Sequence, residues 1–192
     1  MSIPDTEIHR LIRRAQSGKR DAIAQLYRIF APQIYRFVAY RVPEQEAEDI
    51  TAGSFIDMVE GLPSYRITEV PFEGWLYSIA TARIADYYRR QARQTLVELS
   101  DQMPDSHTLP AEHIIQQEEI SRLRVALRQL TDEQQLVLLL RSVERKSHEE
   151  VARVLGKHVS AVKSIQHRAL VHLTQLLGSE SKVRHYLRGR HE

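Results

Sequence analysis

Apolar residues recur at helical spacing along almost the whole chain, and strand-like alternation is hard to find. Ile12 and Ala15, then Ile23, Leu26, Phe30, Ile34, Phe37 and Val38, follow a helical period, with Pro32 placed to bend or restart the helix and Pro43 to end it. Glu44 to Leu62 predicts a further helix with Ala47, Ile50, Phe55, Met58, Val59 and Leu62 inward, closed by Gly61 and Pro63. Residues 63–71 form a loop bracketed by prolines, and Phe72 to about Arg93 is a third helix with Phe72, Leu76, Ile79, Ala80 and Tyr87 as core candidates. Residues 94–117, with Pro104 and Pro110, read as a linker, and a longer helix restarts near Pro110 and runs through Leu130. Thr131 and Gln134 have capping-box spacing and open a helix over Asp132–Val143. The polar, basic tail from Gly178 carries at most a short helix around Val183–Leu187.

Ser147 to Leu177 is the most informative stretch. Ser147 and Glu150 form another capping box, and Val151, Ala152 and Leu155 give the helix that follows one apolar face. Gly156 supplies the positive φ on which a helix can stop. A second helix starts at about Ser160, with Val162, Ile165, Ala169, Leu173 and Leu176 inward. Small Ala152, then Gly156, then aliphatic Val162 is the order a helix-turn-helix needs to set its second helix steeply across the first. Lys163, Ser164, His167 and Arg168 fall on the outward face, where all four can donate hydrogen bonds to phosphates and base edges. The plainer alternative is a helical hairpin with a solvated basic face.

Charge divides the chain in three. Residues 1–93 carry a net +1, residues 94–121 contain six acids and no lysine or arginine, and residues 122–192 carry +7. The fold class expected is therefore all-α: two helical domains (1–93 and 122–177) joined by a flexible acidic linker (94–121), the second a helix-turn-helix, with a basic tail (178–192). The absence of cysteine excludes disulfides, thiolate nucleophiles and cysteine-based zinc sites. No run of about 18 apolar residues is present to insert in a membrane, and the N-terminus lacks the apolar core of a signal peptide, so a cytoplasmic location is expected.

Residue chemistry points to nucleic acid rather than to catalysis. The helix from Phe72 mixes Trp75, Tyr77, Arg83, Tyr87, Tyr88, Arg89, Arg90 and Arg93. Unpaired bases stack on aromatic faces while arginines track the phosphates. Tyr77 and Tyr88 are the expected surface aromatics; Trp75 serves the core equally well. Arg89, Arg90 and Arg93 also suit a helix C-terminus electrostatically. Glu48 and Asp49 read either as a solvated face or as a docking patch for a basic helix. His148-Glu149-Glu150-Val151-Ala152 fails the H-E-x-x-H zinc pattern at Ala152, and no phosphate loop, nucleophile elbow or dinucleotide turn occurs. Neither a metal, a cofactor nor a catalytic constellation is expected.

Two blocks, AEDITAGSF…LPSYR…PFEGWLYSIATARIADYYRRQAR and LTDEQQLVLLLRSVERKSHEEVARVLGKHVSAVKSIQHRAL, occur in an order that resembles bacterial RNA polymerase sigma factors of the extracytoplasmic-function (ECF) group of the sigma-70 family. The resemblance covers residues 21–93 and 122–177. It implies that the first block binds core RNA polymerase and the −10 promoter element, and that the second binds the −35 element. Glu48 and Asp49, with Phe55, fall on the polymerase-docking helix. Trp75, Tyr77, Arg83, Asp86, Tyr88, Arg89, Arg90 and Arg93 fall in the −10 region. Ser160, Lys163, Ser164, His167 and Arg168 fall in the −35 region. Core polymerase, promoter DNA and an anti-sigma protein are the partners implied.

The sequence departs from the family pattern at four places. Ala52-Gly53 replaces a Gln-Glu or Gln-Asp pair, removing polar contacts and costing about 1 kcal/mol of helix propensity at Gly53. Ala82 stands where Asn is common near a flipped base, and Ile165 where Arg is common. His158 stands at the usual Ser cap of the recognition helix, leaving Ser160 as a cap that would start the helix two residues later. A conventional dimeric helix-turn-helix regulator is the competing expectation, weakened by the lack of a dimerisation seam. A helical scaffold binding only proteins is weakened by the +7 of the second module.

Overall fold

The computed structural model describes residues 4–98 and 121–178, the side chains of 95–98 excepted, and contains no strand among them. The expected short helix in the tail and the linker's middle lie outside the described residues. The order is α1 (Asp5–Gln16), α2 (Arg20–Ala39), α3 (Glu44–Gly61) with a 3-10 turn at Leu62–Ser64, α4 (Phe72–Glu98), α5 (121–128), α6 (Asp132–Ser142), α7 (His148–Leu155) and α8 (Val159–Leu177). The helix α4 continues through the first five positions read as linker.

In the first module, α1, α3 and α4 pack on α2. Ile12, Leu26, Ile34, Met58, Leu62, Leu76 and Ile84 are sealed from solvent in its core. Each such side chain contributes on the order of 1.5–3 kcal/mol by leaving water. Pro32 neither breaks α2 nor restarts it. Not every position read as inward is buried. Val59 is exposed and Ile79 half-buried, because the buried stripe of α3 turns through Ser54, Phe55 and Met58, and α4 closes with Ile84 and Tyr87.

In the second module, α8 lies across α6 and α7. Both capping boxes form. Thr131 accepts from the Gln134 N–H at 3.2 Å while the Gln134 side chain accepts from Thr131 N–H at 3.0 Å. Leu127, Leu138, Leu139, Val151, Val162 and Leu173 make the core, joined by Val154; Leu155 and Leu176 are only half-buried.

The two modules touch along one face. Arg36 donates two hydrogen bonds of 2.7 Å to the Glu144 carboxylate, and Lys146 reaches both Glu73 oxygens at 3.0 and 3.2 Å. Arg41, almost fully buried, pairs with Asp132 at the start of α6. Arg128 covers the Tyr88 ring at 4.9 Å, and Arg124 donates to the Ala39 carbonyl at 3.2 Å. Gly74 lets α4 approach the second module at backbone distance: a Cβ there would collide with the Val154 carbonyl oxygen.

Candidate nucleic-acid interface

The helix α7 is fixed at its start by a reciprocal cap. Ser147 Oγ accepts from Glu150 N–H at 3.1 Å, and the Glu150 carboxylate accepts from Ser147 N–H at 2.6 Å. That bond to the Ser147 backbone holds the Glu150 carboxyl below the usual carboxylate range. Gly156 closes α7 with φ of 61°, a left-handed conformation that costs a side-chain-bearing residue strain. His148 Nε2 and Gln166 Oε1, 2.7 Å apart, then tie α7 to α8.

His158 is the N-cap residue of α8, making no side-chain cap, and the helix starts at Val159. The later start expected from a Ser160 cap does not occur. Ser160 sits one position inside the helix, where its carbonyl accepts from Ser164 Oγ at 3.0 Å. Val162, Ile165, Ala169 and Leu173 anchor one face in the core. Rotation of 100° per residue therefore turns Ser160, Lys163, Ser164, His167 and Arg168 outward, and all five are exposed. The structure brings this set together as the sequence suggested. Ile165 is buried, so the residue at this position packs in the core rather than replacing an outward contact.

The −10 candidates on α4 separate into different environments. Asp86, Arg89, Arg90 and Arg93 are exposed, with Asp86 and Arg89 paired one turn apart. Trp75 is half-buried, its ring 4.6 Å from Tyr65 and 5.4 Å from Phe72, and it packs over Gly61. Tyr77, expected on the surface, is fully buried, edge-on to Phe37 at 5.1 Å and facing Arg36, Glu73 and Glu144 at the module contact. That contact joins residues far apart in sequence, which is why the period of α4 did not disclose it. Tyr88 is half-buried, and its hydroxyl donates to the Arg41 carbonyl.

Arg83 donates two 2.5 Å hydrogen bonds to Asp57 on α3. Those bonds hold the Asp57 carboxyl below the usual carboxylate range. Gly53 makes this packing possible, since a Cβ there would lie 2.7 Å from Arg83 Nη1. The expected propensity loss at Gly53 thus accompanies a gain: a guanidinium lies against the helix backbone. Arg83 is a strut between α3 and α4 in this arrangement, two-thirds shielded, rather than an open phosphate contact.

On α3, Glu48 and Asp49 are exposed, whereas Phe55 is buried at 5% exposure, edge-on to Tyr27 at 4.8 Å, and is unavailable as a docking side chain. Ala52, Ile56 and Val59 instead form an exposed apolar stripe beyond the acid pair, with Ile56 56% accessible. Their spacing of four and then three is a helical signal in the sequence, masked because Val59 also fits the period of the inward stripe.

Among the described residues no cluster of three or more histidines and carboxylates could hold a metal, and no helix is long and apolar enough to cross a membrane. The described residues form an all-helical body of two modules whose last helix carries an exposed basic face, an arrangement of the kind used by DNA-binding proteins. Residues 26–94 match the family description Sigma-70 region 2, and residues 120–173 match Sigma-70, region 4. The chain is 32% identical to the RNA polymerase sigma factor YlaC of Bacillus subtilis over 158 residues, 80% of this chain and 91% of that protein. It is 31% identical to the ECF RNA polymerase sigma factor BldN of Streptomyces coelicolor over 176 residues, spanning 90% of this chain and 66% of that protein. Its fold is similar to that of CnrH, solved in complex with the cytosolic domain of CnrY, at a TM-score of 0.59 and 24% identity over 88% of this chain and 95% of CnrH. It is also similar to the sigma factor RpoE in complex with the anti-sigma factor NepR from Bartonella quintana, at a TM-score of 0.54 and 20% identity, covering 81% and 96%. The chain belongs to the ECF group of the sigma-70 family, the sigma factors that direct transcription initiation.

Proposed function

We propose that this chain binds core RNA polymerase through α3 and recognises a promoter with its two modules, α8 reading the −35 duplex and α4 holding the opened −10 strand. The observation that carries this reading is the exposed Lys163-Ser164-His167-Arg168 face on a helix whose opposite face is locked in the core. Two of those groups are permanent cations that neutralise phosphates, and all four can donate to base edges in a major groove. On α4, Arg89, Arg90 and Arg93 track the phosphates of the opened strand, and the Trp75–Tyr65 pair offers an aromatic platform for an unpaired base. Stacking of this kind, on the order of 1–3 kcal/mol per base, offsets part of the cost of strand separation.

The docking face on α3 combines Glu48 and Asp49 with the Ala52-Ile56-Val59 stripe, and suits a partner helix presenting both cations and apolar side chains. The protein acts in the cytoplasm, where its polymerase and promoter are found, and without catalysis of its own. An anti-sigma protein covering these same surfaces is the regulator the family suggests. The RpoE structure holds a sigma factor with the anti-sigma factor NepR, and the CnrH structure holds CnrH with the cytosolic domain of CnrY.

The test is promoter-directed transcription with purified chain and core polymerase. Lys163→Ala and Arg168→Ala each weaken −35 binding, and each lowers the slope of log affinity against log salt by about one. Unchanged promoter affinity at matched salt contradicts the assigned reading face. Binding to a palindromic site without polymerase would favour the dimeric regulator instead.

A further inference from the structure

Arg41 follows α2, only 4% exposed, with its guanidinium 5.0 Å from the Phe37 ring centroid and within 3.3 Å of Thr81 Oγ1 on α4. Its charged partner is Asp132, in the first turn of α6 in the other module, and its Nε has no hydrogen-bond partner among the described residues. Asp132 itself remains 60% exposed, so its carboxylate can be displaced from the solvent side.

Asp132 also stands at a cleft of about 660 Å³ between the modules. One wall is Trp75, Ser78, Thr81, Ala82 and Ala85 of α4, and the opposite wall includes Leu136 of α6 and Val154 of α7. The Trp75–Tyr65 platform assigned above to an unpaired base thus lies in this cleft beneath the second module, while Arg89, Arg90 and Arg93 stay exposed outside it. A carboxylate and a phosphodiester present similar anionic oxygens to a guanidinium fork.

Reach gives an independent reason to separate the modules on a promoter. Elements centred at −35 and −10 lie about 25 base pairs apart, on the order of 85 Å at 3.4 Å per pair. A compact body of about 150 residues has a radius of gyration of only about 15 Å. The packed arrangement cannot hold both elements at once.

We propose that Arg41 is a phosphate-binding site for the opened DNA strand, and that Asp132 occupies it while the modules are packed, so that the second module competes with DNA for the α4 cleft. This rests on the reading of α4 as the strand-holding helix. Opening exchanges one anionic partner of Arg41 for another without leaving the guanidinium unpaired. That matters because a buried charge stripped of its partner is strongly destabilising.

Fluorescence anisotropy of the full-length chain with a labelled single-stranded −10 oligonucleotide tests this. Asp132→Asn tightens binding by about fivefold, the scale of one partly exposed ion pair, and in an Arg41→Gln background the same change has no effect. Should Arg41→Gln fail to fold, Arg41→Lys takes its place, and the gain from Asp132→Asn then shrinks. A gain that is equal with and without Arg41 reflects bulk charge and overturns the proposal. So does the absence of any gain from Asp132→Asn in a chain that still initiates at promoters with core polymerase, an outcome that leaves the function above intact. A chain that neither binds the strand in any variant nor initiates with polymerase overturns both.

Discussion

At the scale of single residues, Tyr77 and Asp57 show how environment decides a role. The Tyr77 hydroxyl is buried and has no hydrogen-bond partner among the described residues. Leaving such a group unpaired costs about 1–3 kcal/mol, so Tyr77→Phe is expected to raise the melting temperature or leave it unchanged. Burial, reinforced by Glu144 and Glu73, pushes the Tyr77 phenol well above its ordinary value. The folded state therefore resists forming phenolate, and stability falls as the pH rises past about 10. Tyr77→Phe flattens that alkaline limb in denaturant titrations; an unaltered limb would show that the phenol is accessible. Asp57 behaves oppositely. Its carboxyl is held low by hydrogen bonds from Arg83, so its contribution is present above about pH 4 and is lost as the pH falls through the depressed value. The stability difference between the wild type and Asp57→Asn should narrow on acidification. The pair is partly exposed, so solvent screening keeps the effect small.

At the scale of elements, the turn between α7 and α8 is the critical joint. Gly156 has φ of 61°, and a Cβ there would lie 3.1 Å from Val70 of the first module. Gly156→Ala is expected to destabilise the protein by about 1–2 kcal/mol and to weaken −35 binding by tilting α8; chemical denaturation and duplex titration measure the two. The joint was legible in the sequence because its determinants are local. Ser147 and Glu150 are three residues apart, Thr131 and Gln134 likewise, and a glycine at a helix end has a definite conformational use. The outward set on α8 was legible for the same reason, once its inward stripe was identified. Legibility ended where burial depends on distant chain. Tyr77 follows buried Leu76 on α4, and only packing against Phe37 and the second module determines that it too faces inward. The clamp of Arg83 by Asp57 over Gly53 joins residues 26 and 30 positions apart, a distance at which periodicity carries no information. Gly53 consequently read as a defect rather than as room for a guanidinium.

At the scale of the whole molecule, charge pairs join modules that the composition had separated. Lys146 and Glu73 are both below 20% exposed, and in the other pair Glu144 is 11% exposed while Arg36 keeps 36%. Removing one member leaves the other without its counter-ion at a desolvated site, which favours separation of the modules. Arg36→Gln, which leaves the shielded Glu144 carboxylate without its counter-ion, is expected to increase the radius of gyration measured by small-angle scattering, while each module keeps its helical content by circular dichroism. An unchanged radius would mean that apolar contacts around Gly74 and Val154 are enough to keep the modules together. In the function proposed above, these two modules, carried on one chain, recruit the polymerase to a start site by using both DNA elements. Run-off transcription by core polymerase and the purified chain, on templates in which the −35 and −10 blocks are scrambled singly and together, tests it most directly. Specific transcripts are expected only from templates retaining both blocks, with Arg168→Ala reducing the output of the intact template. Transcripts independent of the added chain, or output insensitive to either block, would contradict it.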